Sequence, residues 1–127
     1  MPRVLVVEDN PVNLELVTAL LEEAGCRILT AETAAAALQL VASERPDLIL
    51  MDVQLPGMTG YEATRKLKAN PTTATIPVVA LTAQAMRGDE ARARDAGCDA
   101  YLTKPLDARA LREVMRRFLP GSDRVTE

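Results

Sequence analysis

The chain has 127 residues, with 15 Lys and Arg against 18 Asp and Glu, no His, no Trp and two Cys. That length makes one domain with a sizeable core, and a net charge of −3 provides no basic field toward nucleic acid or anionic lipid. Without histidine there is no Ser–His or Cys–His catalytic pair, no His–metal site and no phosphohistidine carrier role.

The first strand is expected over 4–7, where Val4-Leu5-Val6-Val7 runs into Glu8-Asp9. That apolar run is too short for a signal peptide, and no stretch approaches the roughly 20 apolar residues of a membrane span. The cytoplasm is the expected compartment. Asn10-Pro11 then offers an N-cap and a first-turn proline. Leu16, Val17, Leu20, Leu21 and Ala24 recur at helical spacing as one face, and Gly25 stops the helix. A second strand over 27–30 leads to an Ala-rich helix over 34–43 that ends before Pro46. A third strand follows over 48–51. Thr59-Gly60-Tyr61-Glu62 is a capping box opening the third helix. The fourth strand is expected over 78–81, and Gly88-Asp89 precedes a fourth helix ending at Gly97. The fifth strand falls over 100–102. Asp107 caps a fifth helix that turns Leu111, Val114, Met115 and Phe118 inward and stops at Pro120-Gly121. Residues 1–120 form the domain and 121–127 a flexible tail.

The first, third and fourth strands are apolar without alternation, as parallel strands covered on both faces should be. The second and fifth are weaker and suit positions nearer an edge. Five strand–helix units predict an α/β, doubly wound parallel sheet with right-handed crossovers. Cys26 and Cys98 each follow a glycine, fit no zinc pattern and read as small buried thiols.

In an open parallel sheet, ligands bind beyond the carboxyl ends of the strands. Here the first strand ends in Glu8-Asp9, the third in Asp52, the fourth in Thr82 and the fifth in Lys104-Pro105. Carboxylates about 4 Å apart repel by several kcal/mol at an effective dielectric near 20. A hard divalent cation relieves this, and an all-oxygen, partly hydrated site suits Mg²⁺. Mg²⁺ and Lys104 together would neutralise an incoming phosphoryl group. Asp52 can then act as a carboxylate nucleophile at phosphorus, giving an aspartyl phosphate, with Thr82 hydrogen-bonded to a phosphoryl oxygen. A cis peptide at Lys104-Pro105 would hold the ammonium over the site. Taken singly, each residue has a plainer role: Asp as a helix cap or turn former, Thr as a strand-end hydroxyl, Lys as a solvated charge. Their joint placement on the strand ends argues against chance.

Four segments carry a resemblance. Val4 to Asn10, Leu48 to Gly60 (LILMDVQLPGMTG), Ala80-Leu81-Thr82-Ala83 and Tyr101-Leu102-Thr103-Lys104-Pro105 together resemble two-component response-regulator receiver domains, in order, from about residue 3 to 119. The wording is similar to receivers of hybrid histidine kinases and to stand-alone cell-division regulators, and less like transcription-factor receivers. The resemblance implies five helices on a five-stranded flavodoxin-like, CheY-like sheet of order 2-1-3-4-5. It implies phosphorylation of Asp52, and Mg²⁺ held by Asp9, Asp52 and the carbonyl of Gln54, with Glu8 acting mainly through water. It implies that Lys104 binds phosphate and that Thr82, beside Ala83, forms a switch pair with Tyr101. Gln54 and Gln84 would flank the path of the hydrolytic water and tune phosphoryl lifetime.

The implied activity is self-phosphorylation and slow autodephosphorylation rather than turnover of a separate substrate. A histidine kinase or histidine phosphotransfer protein is the expected donor, docking over the first helix with Val12 and Leu14 as an exposed apolar contact. The last two helices and the fifth strand form the expected face for an unknown output protein. Arg109, Arg112, Arg116 and Arg117 on the last helix read first as a solvated face. No direct nucleic-acid or membrane contact is expected, and a monomer is the default. A haloacid-dehalogenase-type phosphatase would need a second Asp where Gln54 stands. A docking module indifferent to phosphate stays open.

Overall fold

Strands that are apolar on both faces need a layer of helices above and below them, and the computed structural model supplies both. It describes residues 1–83, 89–104 and 106–119. The elements run β1 (Arg3–Val7), α1 (Pro11–Glu23), β2 (Arg27–Ala31), α2 (Ala34–Glu44), β3 (Leu48–Asp52), α3 (Gly60–Ala69), β4 (Val78–Thr82), α4 (Asp89–Ala96), β5 (Ala100–Thr103) and α5 (Ala108–Phe118). All pairings are parallel in the order β2-β1-β3-β4-β5. One row of the register reads Thr30, Val6, Leu50, Val79, Ala100. β3 and β4 are buried along their whole length, whereas the outer strands β2 and β5 are mostly half-exposed. β3, β4 and β5 each extend one residue past their apolar runs, to Asp52, Thr82 and Thr103, because backbone pairing continues where side-chain polarity changes.

Side chains alternate between the two faces. Val4, Val6, Leu48, Leu50, Val79 and Leu81 meet Val17 and Leu21 of α1 and Leu111, Val114 and Met115 of α5. Leu5, Val7, Ile49, Met51 and Val78 meet α2 and α3 through Ala34, Ala37, Val41, Ala63 and Leu67. A smaller cluster around Val53, Ala80 and Ala93 seats α4. Among the described residues, no helix is long and apolar enough to cross a membrane.

The helix signals act as expected at most ends. Asn10 Oδ1 accepts from the amides of Val12 and Asn13 at 2.9 and 3.2 Å. Thr59 Oγ1 accepts from Glu62 N at 3.2 Å and donates to the Glu62 carboxylate at 3.3 Å. Asp107 accepts from Arg109 N. Gly25 and Gly97 take φ of +85° and +99°, the left-handed turn that ends a helix.

Two expectations need correction. Leu16 does not join the buried face of α1: it is 42% exposed. At about 100° per residue the buried stripe centres on Val17 and Leu21, and Leu16 lies well to one side. Cys26 is buried, but Cys98 is only half-buried, because it sits at the open start of the outer strand β5. Phe118 does turn inward, half-buried against the α1–α5 core, with its ring under the Arg117 guanidinium at 4.9 Å. The tail 121–127 and the Pro120-Gly121 stop lie outside the described residues.

At the amino-terminal edge of the sheet, Lys68 ties three elements together. Its ammonium donates to Ala74 O at 3.1 Å, Ile76 O at 2.8 Å and Asp99 Oδ2 at 2.9 Å, and Asp99 Oδ2 also accepts from Val78 N at 2.8 Å. Lys68→Met keeps the apolar stem and deletes all three bonds. It should lower stability by about 1–3 kcal/mol in equilibrium urea unfolding; an unchanged midpoint would show that water replaces them without cost.

Candidate functional site

The strand ends converge because the register aligns them. Val7 pairs with Met51, Asp52 with Leu81 and Thr82 with Thr103, so the residues that follow leave the sheet at one rim. Backbone bonds continue past the strands: Glu8 N donates to Ala31 O, Val53 N to Leu81 O and Lys104 N to Thr82 O, at 3.0, 3.0 and 2.7 Å. The rim is therefore as rigid as the ladder beneath it.

Asp52 is 3% exposed. Its Oδ1 accepts from Gln54 N at 3.0 Å and its Oδ2 from Lys104 Nζ at 3.1 Å. Lys104 Nζ also lies 2.7 Å from Glu8 Oε1, and Glu8 Oε2 accepts from Asn10 N at 3.2 Å. Glu8 is 1% exposed, and its Oε1 accepts no aligned hydrogen bond among the described residues; its contact with Lys104 is an off-axis ion pair. Asp9 stands at the exposed lip. One carboxylate oxygen from each of Glu8, Asp9 and Asp52 falls within 4.8 Å of the others.

Burial first, and the neighbouring Asp52 carboxylate second, push the Glu8 carboxyl above its ordinary 4.5, while Lys104 and the Asn10 amide oppose them without cancelling. Burial would lower Lys104, but its two carboxylate partners outweigh burial and raise it. The ammonium is the only cation holding two enclosed carboxylates together here, among the described residues. A three-carboxylate, all-oxygen donor set with one buried oxygen lacking an aligned donor fits a hard divalent cation.

The structure brings together Glu8, Asp9, Asp52 and Lys104, with the Gln54 amide on the Asp52 carboxylate. Thr82 is buried at the end of β4, with Ala83 exposed beside it. Tyr101 pairs with Ala80, so it shares a sheet face with Thr82 two residues on, and it packs half-buried by Val53 and Ala93. Val12 and Leu14, the donor-docking pair, differ in exposure. Val12 is 73% exposed, but Leu14 packs half-buried against the α1–α5 core, one turn before Val17 and Thr18. Leu16, four residues after Val12, is the second exposed apolar side chain of α1. Glu8 is enclosed against Lys104. Gln84 and Pro105 lie outside the described residues, so the lifetime role of Gln84 and the cis peptide have no structural account. Asn10, legible only as a cap, also serves the site through its amide. Gly60, legible only within a capping box, is packed against the backbone of Asp52.

Residues 4–116 match the model of the response regulator receiver domain. The chain belongs to that family. It is 43% identical over 120 residues to the polar-differentiation response regulator DivK of Brucella anthropi, covering 94% of this chain and 98% of the relative. A putative response regulator from Chloroflexus aurantiacus superposes with a TM-score of 0.90 at 30% identity, over 93% of this chain and 97% of the other. The receiver domain of a Pseudomonas aeruginosa sensor histidine kinase, whose active-site cleft coordinates a magnesium ion, gives 0.86 at 37% identity, over 92% and 96%. This receiver domain is thus a signalling module of two-component systems, with the acidic cluster that in such relatives holds a divalent metal.

A carboxyl raised by burial favours folding while protonated. Glu8 therefore contributes stability below about its unfolded value, 4.5, and loses it as pH rises through the higher folded value. Lys104, also raised, changes nothing in that window, since its contribution is lost only above 10.5. Glu8→Gln should raise the melting temperature of the metal-free protein by a few degrees at pH 8 and by nothing near pH 4. Thermal melts at both pH values check this, and equal effects at both would refute it.

Proposed function

We propose that this receiver takes a phosphoryl group from a histidine kinase or histidine phosphotransfer protein onto Asp52. The observation that carries the reading is the enclosed Asp52 carboxylate, held on one oxygen by the Gln54 amide and on the other by Lys104, beside two further carboxylates. Glu8, Asp9, Asp52 and the Gln54 carbonyl would hold Mg²⁺. When bound, that ion supplies positive charge to the transferring phosphoryl oxygens. An Asp52 oxygen forms the bond to phosphorus as the phosphorus–nitrogen bond of the donor imidazole breaks, and the imidazole keeps the electron pair. Lys104 is placed to exchange its Asp52 bond for one to a phosphoryl oxygen. The Thr82 hydroxyl, beside Ala83, donates to another.

Phosphorylation adds roughly −1.5 to −2 charge and new acceptor oxygens. Thr82 moves toward them, and Tyr101, on the same sheet face, follows inward. That motion alters the α4–β5–α5 face, where a groove of about 430 Å³ between β5 and α5 is lined in part by Tyr101, Val114, Arg116 and Arg117. An output protein binds this face. Slow autodephosphorylation resets the domain, with Gln54 and Gln84 setting the pace at which water reaches phosphorus. The reading places the domain in the cytoplasm, as a monomer.

Incubation with Mg²⁺ and acetyl phosphate should add about 80 Da, one phosphoryl group, and shift the Tyr101 signals in NMR. Asp52→Asn should show neither change. An Asp52→Asn protein that retained all partner binding would favour the docking module indifferent to phosphate. Val12→Glu should slow transfer from a protein donor about tenfold, a loss of roughly 1.4 kcal/mol of contact, and leave acetyl phosphate unaffected. Equal loss with both donors would remove α1 from the docking surface.

A further inference from the structure

We infer that Gly60 is a positioning residue for the acceptor site, acting through the backbone of β3. The inference rests on the phospho-acceptor reading of Asp52. Gly25, Gly57 and Gly97 take positive φ, but Gly60 does not. Torsion therefore makes no demand for glycine there. Space does. A Cβ on Gly60 would overlap the carbonyl oxygen of Asp52 and come within 2.9 Å of its carbonyl carbon and of Val53 Cα. These are backbone atoms, and no rotamer change clears them.

The close approach is fastened between the elements by one bond and braced within α3 by another. Gly60 N donates to Val53 O at 3.2 Å, and Thr64 Oγ1, fully buried, donates to Gly60 O at 2.8 Å. β3 cannot yield easily, because Val53 N is already committed to Leu81 O in the neighbouring strand. Residues 54–59 thus form a loop closed at its base by the Gly60–Val53 bond. Its first residue, Gln54, gives its amide to Asp52 Oδ1. The approach of α3 to β3 therefore sets both the rotation of the acceptor carboxylate and the place of the Gln54 carbonyl. A methyl group at position 60 drives α3 and the loop outward and takes the Gln54 amide off Asp52. A misplacement of about 1 Å at a reacting group costs on the order of a hundredfold in rate, so even partial relaxation leaves a measurable defect.

The experiment compares the intact protein with Gly60→Ala, Thr64→Val and Thr64→Ser. Mg²⁺ affinity is read by calorimetry, and adduct formation by mass spectrometry across a range of acetyl phosphate concentrations. Gly60→Ala should weaken Mg²⁺ binding and lower the saturating rate by about tenfold or more, with a smaller change in KM. Thr64→Val, which removes the Gly60 bond without placing an atom on the Asp52 backbone, should move both quantities in the same direction, and Thr64→Ser should restore them. A Gly60→Ala protein with unchanged affinity and saturating rate overturns the inference. Should that variant fail to fold, the Thr64 pair decides: identical behaviour of Val and Ser overturns it equally. An intact protein that forms no adduct at all defeats the acceptor reading itself, and the inference with it.

Discussion

Three carboxylates crowded at one rim make a structure that favours a cation. Glu8 and Asp52 are enclosed, Asp9 stands at the lip, and Lys104 lies within 2.7 and 3.1 Å of the two buried groups. Like charges this close cost several kcal/mol unless countercharge is supplied. The metal-free domain meets that cost with one ammonium and a raised Glu8. In the proposed reading, the same crowding draws in a divalent ion and a phosphoryl group. Both would bring charge balance of a kind one lysine cannot complete.

Everything beneath the rim serves to hold it in place. The two helical layers bury the apolar faces of β1, β3 and β4, and the ladder carries that rigidity past the last strand residue through the Glu8, Val53 and Lys104 amides. Preorganised charge works because its framework does not relax when the charge distribution changes. Asp52 is fixed in this sense by the Gln54 amide on one side and Lys104 on the other. Gly60 extends the same framework to α3, where it is the absence of a side chain that matters.

Much of this was legible in the sequence because it depends on pattern. Unbroken apolar runs marked the central strands, weaker runs marked β2 and β5 as outer strands, and polar residues just past each run marked the rim. Asn10, Thr59 and Asp107 announced their helices as caps. What escaped depends on depth and angle. Leu14 and Leu16 are the same residue type two positions apart, and only the rotation of α1 on the core tells which is exposed. Glu8 and Asp9 are adjacent acids, and which one turns inward follows from the alternation at the end of β1. Lys68 carried no signal at all, since its three acceptors come from chain segments six to thirty-one residues away.

The sheet ends on both sides in strands that offer little to a stray chain. β5 has four residues, and β2 begins with an exposed arginine. Short or charged margins of this kind discourage another polypeptide from adding itself by backbone pairing, the first step toward fibrous aggregates. A signalling domain, at whatever abundance its cell maintains, gains solubility from that frugality in hydrogen-bonding frontage.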